Sequence, residues 1–253
     1  GAQAPQPDQR QLLAKALAKR GHAETALACL QDVDAAPETQ LAIGRSLLLH
    51  GDPDGGTDQL LTLTQNNPNH PASLEAARIL SEPLYPDPGV LNALPAAVEK
   101  RSAAVSAARV RLADGDGAEA ALNQWPDDPD IWQLQWDLAR DAFLSGYWLR
   151  ARNLLERDSD HGPLPPPLEA RRLFWLGLSH QETGETAQAE RIWRNLIKSF
   201  PAGYYRWRAM DRLGISEPLD LRKPHAQQNP QTWQPLNSQN ALLNRLWRLG
   251  QVH

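Results

Sequence analysis

The sequence of 253 residues has one cysteine, almost no aromatic side chains in its first half and no long apolar run. A lone cysteine, Cys29, excludes an intramolecular disulfide and a zinc site built on several cysteines. No apolar run approaches the roughly 20 residues of a membrane-spanning helix, so no membrane span is predicted. The net charge of -4 argues against nucleic acid as a partner, because phosphate backbones are bound by an excess of Lys and Arg.

Motifs of known catalytic chemistry are absent as well. The seven histidines form no His-Glu-x-x-His helix, and no Gly-x-Ser-x-Gly elbow or Gly-Lys-Ser/Thr phosphate loop occurs. The Gly-rich turn at 51–56 carries two aspartates, which would repel phosphate. We therefore predict no catalytic residue, no metal ligand and no cofactor, and this chain alone is not predicted to be an enzyme.

Helix signals fill the chain. Ala, Leu, Gln, Glu and Arg dominate long windows, and no stretch alternates β-branched or aromatic residues with polar ones. Segments whose apolar residues recur with the helical period each end at a glycine: Gly21, Gly51, Gly115, Gly146 and Gly184. Successive glycines are separated by about the length of one helix pair or of two helix pairs. This pattern predicts an all-α fold, an α-solenoid or superhelix of helix hairpins.

One helix pair can be matched position by position over residues 170–203. The residues are large at Leu173 and Leu176, small at Gly177 and Ala189, aromatic at Trp193 and proline at Pro201. This order resembles the tetratricopeptide repeat (TPR), a helix-turn-helix of about 34 residues. We expect Gly177 and Ala189 to lie where two helices cross closely, with Trp193 beside the crossing. His180 stands where the repeat prefers Tyr and is expected to fill a packing position.

Weaker copies of the same spacing precede this repeat. They are Ala14, Gly21, Ala26 and Leu30, then Gly44, Gly51 and Leu60, then Ala139, Gly146, Ala151 and Leu155. Between residues 71 and 122 prolines interrupt the helical pattern, so helix boundaries are poorly predicted there. The proline-rich run Asp160–Pro167 predicts an extended connector ahead of the best repeat.

Composition divides the chain near residue 125. All nine tryptophans follow residue 124. Residues 1–124 hold 10 basic and 15 acidic side chains, a net charge of -5, and residues 125–253 hold 16 and 15, a net charge of +1. We predict an N-terminal helical-hairpin solenoid over 1–124, TPR-like repeats over 125–214, and a proline-rich linker with a last helix over 215–253.

The residues after the best repeat carry a second resemblance. Phe200-Pro201, the pair Tyr204-Tyr205 and Arg212-Leu213-Gly214 are followed by prolines over 215–235 and a helical segment at 236–250. This order resembles the superhelix of soluble lytic murein transglycosylases over roughly 168–253. In that family a separate C-terminal lysozyme-like domain cleaves the glycan, using a Glu-Ser pair and a Gly-Leu-Met-Gln run. Neither motif occurs in this chain.

Two functional hypotheses follow. The resemblance implies a non-catalytic superhelical scaffold of a peptidoglycan lytic transglycosylase, which positions glycan strands or the lysozyme-like catalytic domain in the periplasm after removal of a signal peptide. The alternative is a TPR-like scaffold that binds a peptide or protein in its groove, and the residues themselves leave the compartment open. The predicted binding residues are Tyr204, Tyr205, Arg206, Trp207 and Arg208, for which packing on the preceding repeat is the competing interpretation.

Overall fold

The computed structural model describes residues 6–31, 33–82, 86–157 and 164–215. In these ranges the chain forms fourteen helices and no strand, which confirms the all-α prediction there. None of the described helices is long and apolar enough to cross a membrane. The helices are α1 (Pro7–Ala18), α2 (Ala23–Leu30), α3 (Pro37–His50), α4 (Pro53–Asn66), α5 (Pro71–Ser81), α6 (Pro88–Ala93), α7 (Ala96–Glu99), α8 (Ala103–Leu112), α9 (Ala118–Gln124), α10 (Pro129–Leu144), α11 (Trp148–Glu156), α12 (Pro166–Glu182), α13 (Thr186–Ser199) and α14 (Tyr204–Arg212).

Proline starts half of these helices instead of ending them. It occupies the first helical position, where the backbone N–H that it lacks would have no partner inside the helix. The predicted extended connector Asp160–Pro167 is therefore wrong at its end, because α12 begins at Pro166 and includes Pro167. Residues 158–163 of that connector lie outside the described residues.

The helices pair into hairpins that stack on one another. Four helix pairs each pack along their length: α1–α2, α3–α4, α10–α11 and α12–α13. The helices that begin these pairs, together with α5, α8 and α14, are called first helices, and they also contact one another along the stack. These contacts join α1, α3, α5, α8 and α10 in series, and they join α12 to α14. Gly184, at φ +85°, makes the turn between α12 and α13 in a backbone region that residues with a Cβ rarely adopt. The fold is thus a solenoid of TPR-like hairpins.

The close helix crossing predicted at Gly177 is confirmed. A Cβ atom at Gly177 would lie 2.4 Å from Nε1 of Trp193, which is only 1% exposed and donates to the Phe174 carbonyl at 3.1 Å. Gly44 repeats this arrangement in α3, where a Cβ would lie 2.7 Å from Cδ2 of Leu60. In both hairpins the bulky residue follows the glycine by 16 positions. The α1–α2 and α10–α11 hairpins keep these offsets with buried residues, namely Ala14, Ala26 and Leu30, and Ala139, Ala151 and Leu155.

The chain divides into two compact units, residues 1–213 and residues 214–253. Apart from Gly214 and Ile215, the second unit lies outside the described residues, and with it the predicted linker and last helix at 215–253. The predicted boundary near residue 125 falls inside the first unit. It stays a prediction about composition and repeat type.

Candidate functional site

Three first helices, α10, α12 and α14, bring arginine and aromatic side chains together. Arg171 on α12 places its guanidinium carbon 4.3 Å from the centre of the Trp136 ring on α10, which is the geometry of a cation–π contact. Arg208 on α14 lies 5.8 Å from the ring centre of Phe174, and Tyr205 packs on the same ring at 5.7 Å. We call Trp136, Arg171, Tyr205 and Arg208 the Arg–aromatic surface.

Arg171 holds a positive charge that no described residue neutralises at close range. Among the described residues it donates no hydrogen bond and forms no ion pair. Burial lowers the pKa of Arg171, while the charges of Tyr205 and Asp137 act in the opposite direction. Asp137 is already occupied, because its carboxylate pairs with Arg111 of α8 at 3.1 Å and lies 3.9 Å from Arg140.

Arg208 has a similar environment. Its Nε atom is buried and has no hydrogen-bond acceptor among the described residues. The guanidinium lies between two rings, those of Phe174 and Trp207, the second at 5.9 Å. Aromatic faces compensate a desolvated cation only partly, so both Arg171 and Arg208 can gain from an added anion.

The five residues predicted from the sequence divide into three groups. Tyr205 and Arg208 belong to the Arg–aromatic surface. Arg206 points to α13, where it donates to the Ile197 carbonyl, a contact that holds α14 on the preceding hairpin. Tyr204 and Trp207 are 62% and 53% exposed and face each other at 6.1 Å. The Tyr204 ring lies 5.2 Å from the Tyr205 ring and the Arg208 guanidinium lies 5.9 Å from the Trp207 ring, so this exposed pair is continuous with the Arg–aromatic surface. The binding role of the five residues stays a prediction.

Sequence reasoning missed Trp136 and Arg171. A signal for Arg171 was available, since Arg171 and Tyr205 are 34 residues apart, as are Phe174 and Arg208. Equivalent positions on α12 and α14 are therefore one repeat length apart. Given Tyr205 and Arg208 on α14, this spacing indicates Arg171 and Phe174 as the equivalent residues on α12. Trp136 could not be placed in the same way, because the connector before α12 breaks the constant spacing.

An open cavity of about 840 Å³ is lined by residues of α5, α8, α10 and α11, among them Asp137, which directly follows Trp136 of the Arg–aromatic surface. Its lining holds five carboxylates and three guanidiniums: Glu82, Asp114, Asp130, Asp137 and Asp141, with Arg111, Arg140 and Arg150. The carboxylate of Asp130 makes no hydrogen bond or ion pair with a described residue, and burial together with Asp128 raises its pKa. No group of three or more His, Cys, Asp or Glu side chains in the described part of the chain could hold a metal ion.

The comparison with protein families agrees with the repeat. A family model described as tetratricopeptide repeat matches residues 173–202, and no curated protein matches the chain. Among solved structures, a Podosopora anserina chain described as a kinesin light chain with nearly identical TPR-like repeats is 17% identical, with 77% of this chain and 97% of that chain covered and a TM-score of 0.32. A TM-score this low supports no transfer of function. The helix pair α12–α13 is thus similar to a tetratricopeptide repeat, as the spacing of Gly177, Ala189 and Trp193 indicates.

Proposed function

We propose that this chain is a protein-interaction scaffold that binds an extended segment of a partner protein on the Arg–aromatic surface. The single observation that supports this most is the Arg171 guanidinium, which lies half-buried on Trp136 without a hydrogen bond or ion pair to any described residue. None of its nitrogen atoms is among the buried polar atoms of the described residues that have no partner, so its five N–H donors are open to solvent and available to a ligand.

Stacked hairpins suit this function. Each hairpin contacts only its neighbours, so the first helices present a continuous row of side chains along which an extended segment can lie. Tyr, Trp and Arg are the residues most enriched where partners bind tightly. The surface contains two arginines, one tryptophan and one tyrosine.

The test begins with peptides selected from a random displayed library by the full chain. Their affinity is then measured by fluorescence anisotropy for the wild type and for Arg171→Gln and Trp136→Leu. We expect each substitution to weaken binding at least about tenfold, as interface hot spots do.

The matched control is Arg194→Gln, which removes an arginine from the exposed face of α13 in the same repeat. It should leave the affinity unchanged, and circular dichroism should show equal helicity in all variants. Selected peptides that bind Arg171→Gln and Trp136→Leu as tightly as the wild type would refute the proposal, as would a library that yields no binder.

The transglycosylase scaffold is the second candidate, and the exposed pair Tyr204 and Trp207 favours it, because aromatic faces can stack on sugar rings. If glycan binds there, muropeptides should shift the tryptophan fluorescence of the full chain, and Trp207→Ala should abolish the shift. A flat response at millimolar muropeptide would count against glycan binding. Peptidoglycan, a catalytic domain and a periplasmic location rest on the family resemblance.

A further inference from the structure

We infer that the partner segment is acidic, and that its Asp and Glu side chains pair with Arg171 and Arg208 over α12 and α14. This inference rests on the proposed function and adds the chemistry of the ligand. Arg171 and Arg208 are the two guanidiniums on the surface, and neither is paired with a carboxylate of a described residue. A carboxylate matches the planar fork of a guanidinium and can accept two parallel hydrogen bonds from it.

Charge around the surface favours an acidic ligand at this end of the molecule. Residues 164–215 carry eight Arg and Lys and five Asp and Glu side chains, a net charge of +3. Residues 1–124 carry a net charge of -5. An acidic segment is thus attracted to α12 and α14 and repelled by the N-terminal hairpins.

The neighbouring cavity limits how far the acidic residues of the ligand extend. Its lining has two more carboxylates than guanidiniums, and the Asp130 carboxylate forms no ion pair with a described residue. A ligand that continues from α12 to α10 and α8 therefore meets negative charge. We expect its acidic residues to be confined to one end, with Lys or Arg residues at the other end.

The source of the acid is a protein segment and not a nucleic acid or another polyanion. A polyphosphate backbone is negatively charged along its whole length, so it would place phosphates beside the carboxylates of the cavity as well. The residues beyond the described part are also a poor occupant, because 216–253 contain two acidic and four basic side chains. A segment with a net positive charge is a poor ligand for two guanidiniums.

The closing experiment uses three synthetic peptides of one composition, each with acetylated and amidated ends so that only side-chain carboxylates are offered. Adjacent helices lie about 8–10 Å apart and an extended chain rises about 3.3 Å per residue, so peptides of about 12 residues span the surface and the cavity. One peptide has its Asp and Glu in a block at the N-terminal end and its Lys at the other, one has the reverse order, and one alternates the two charges.

Affinities for the full chain are measured by fluorescence anisotropy at low and high salt. We expect one block peptide to bind at least about tenfold more tightly than the alternating peptide, and this preference to shrink as salt screens the charges. Arg171→Gln and Arg208→Gln should each reduce the preference, Arg171→Lys should retain part of it, and Arg194→Gln should leave it unchanged. Equal binding of the block and alternating peptides would overturn the inference.

The library-selected peptide separates this outcome from failure of the proposed function. If that peptide still loses affinity with Arg171→Gln while the block peptides show no preference, the surface binds protein segments but not acidic ones. If a single-stranded oligonucleotide binds more tightly than either block peptide, the acidic-segment inference is wrong. It is also wrong if sedimentation shows a dimer that Arg171→Gln dissociates, since the occupant is then a second copy.

Discussion

His180 shows how one side chain can join three helices. It is 5% exposed, and its two ring nitrogens lie 3.1 Å from Oε1 of Glu156 on α11 and 2.8 Å from Oε2 of Glu185, which precedes α13. The prediction that His180 fills a packing position is confirmed by its burial. The sequence alone did not predict its two carboxylate partners. Glu156 belongs to the preceding hairpin, and the connector before α12 breaks the constant repeat spacing that would have placed it beside His180.

These contacts predict a measurable change at Glu185. The hydrogen bond from His180, with a further contribution from Arg152, lowers the pKa of Glu185 below its ordinary value of 4.5. A carboxyl group whose pKa is lower in the folded state stabilises the fold above pH 4.5, and this stabilisation is lost as the pH falls through the folded pKa. In His180→Gln the pKa of Glu185 should therefore rise towards 4.5, as measured by NMR titration of the side-chain carboxyl carbon.

Glu185→Gln provides the matching control for this prediction. The free energy of unfolding, measured with urea at neutral and at acid pH, should fall less towards acid pH in each single variant than in the wild type. Adding His180→Gln to Glu185→Gln should reduce the loss little further. An unchanged pKa of Glu185 in His180→Gln would show that the ring does not hold the carboxylate.

At the scale of the helix pair, the glycine and its bulky partner determine how closely two helices approach. Gly177→Leu should destabilise the protein by roughly 2 kcal/mol or more, because the new side chain collides with the buried Trp193 ring. Gly44→Leu should have a comparable effect through Leu60. Ala187→Leu, an exposed substitution on α13, serves as the control and should stay within about 0.5 kcal/mol of the wild type. Urea unfolding measures all three, and a Gly177→Leu variant as stable as Ala187→Leu would contradict the crossing.

The same scale shows what sequence reasoning can and cannot reach. Gly177, Ala189 and Trp193 were predictable, because close packing inside one hairpin fixes their spacing within the chain. Arg171 and Trp136 lie on neighbouring hairpins, and the distance between them depends on how the hairpins stack. The prediction at Pro166 was wrong because proline, which breaks a helix when it lies in the helix interior, is favourable at the first helical position.

For the whole molecule, the hydrophobic core changes in character along the chain. The cluster that joins α1, α2 and α3 has seven buried residues, of which four are alanines, whereas the cluster of α12, α13 and α14 is built on Leu173, Phe174, Leu178, Trp193 and Leu196. Larger side chains bury more apolar area, and burial stabilises by about 25 cal/mol per Å². In a repeat protein each hairpin contacts only its neighbours, so the ends of the stack can unfold at different denaturant concentrations.

We therefore expect urea to unfold the N-terminal hairpins before the C-terminal ones. All nine tryptophans follow residue 124, so fluorescence reports only the C-terminal half, while circular dichroism reports every helix. With Trp233 and Trp247 replaced by Phe, the dichroism signal should begin to fall at lower urea than the fluorescence signal. Gly44→Leu should widen this gap, because it weakens α3–α4 alone, and Gly177→Leu should narrow it. Coincident transitions in all three proteins would mean that the hairpins unfold as one cooperative unit and would contradict the expected order of unfolding.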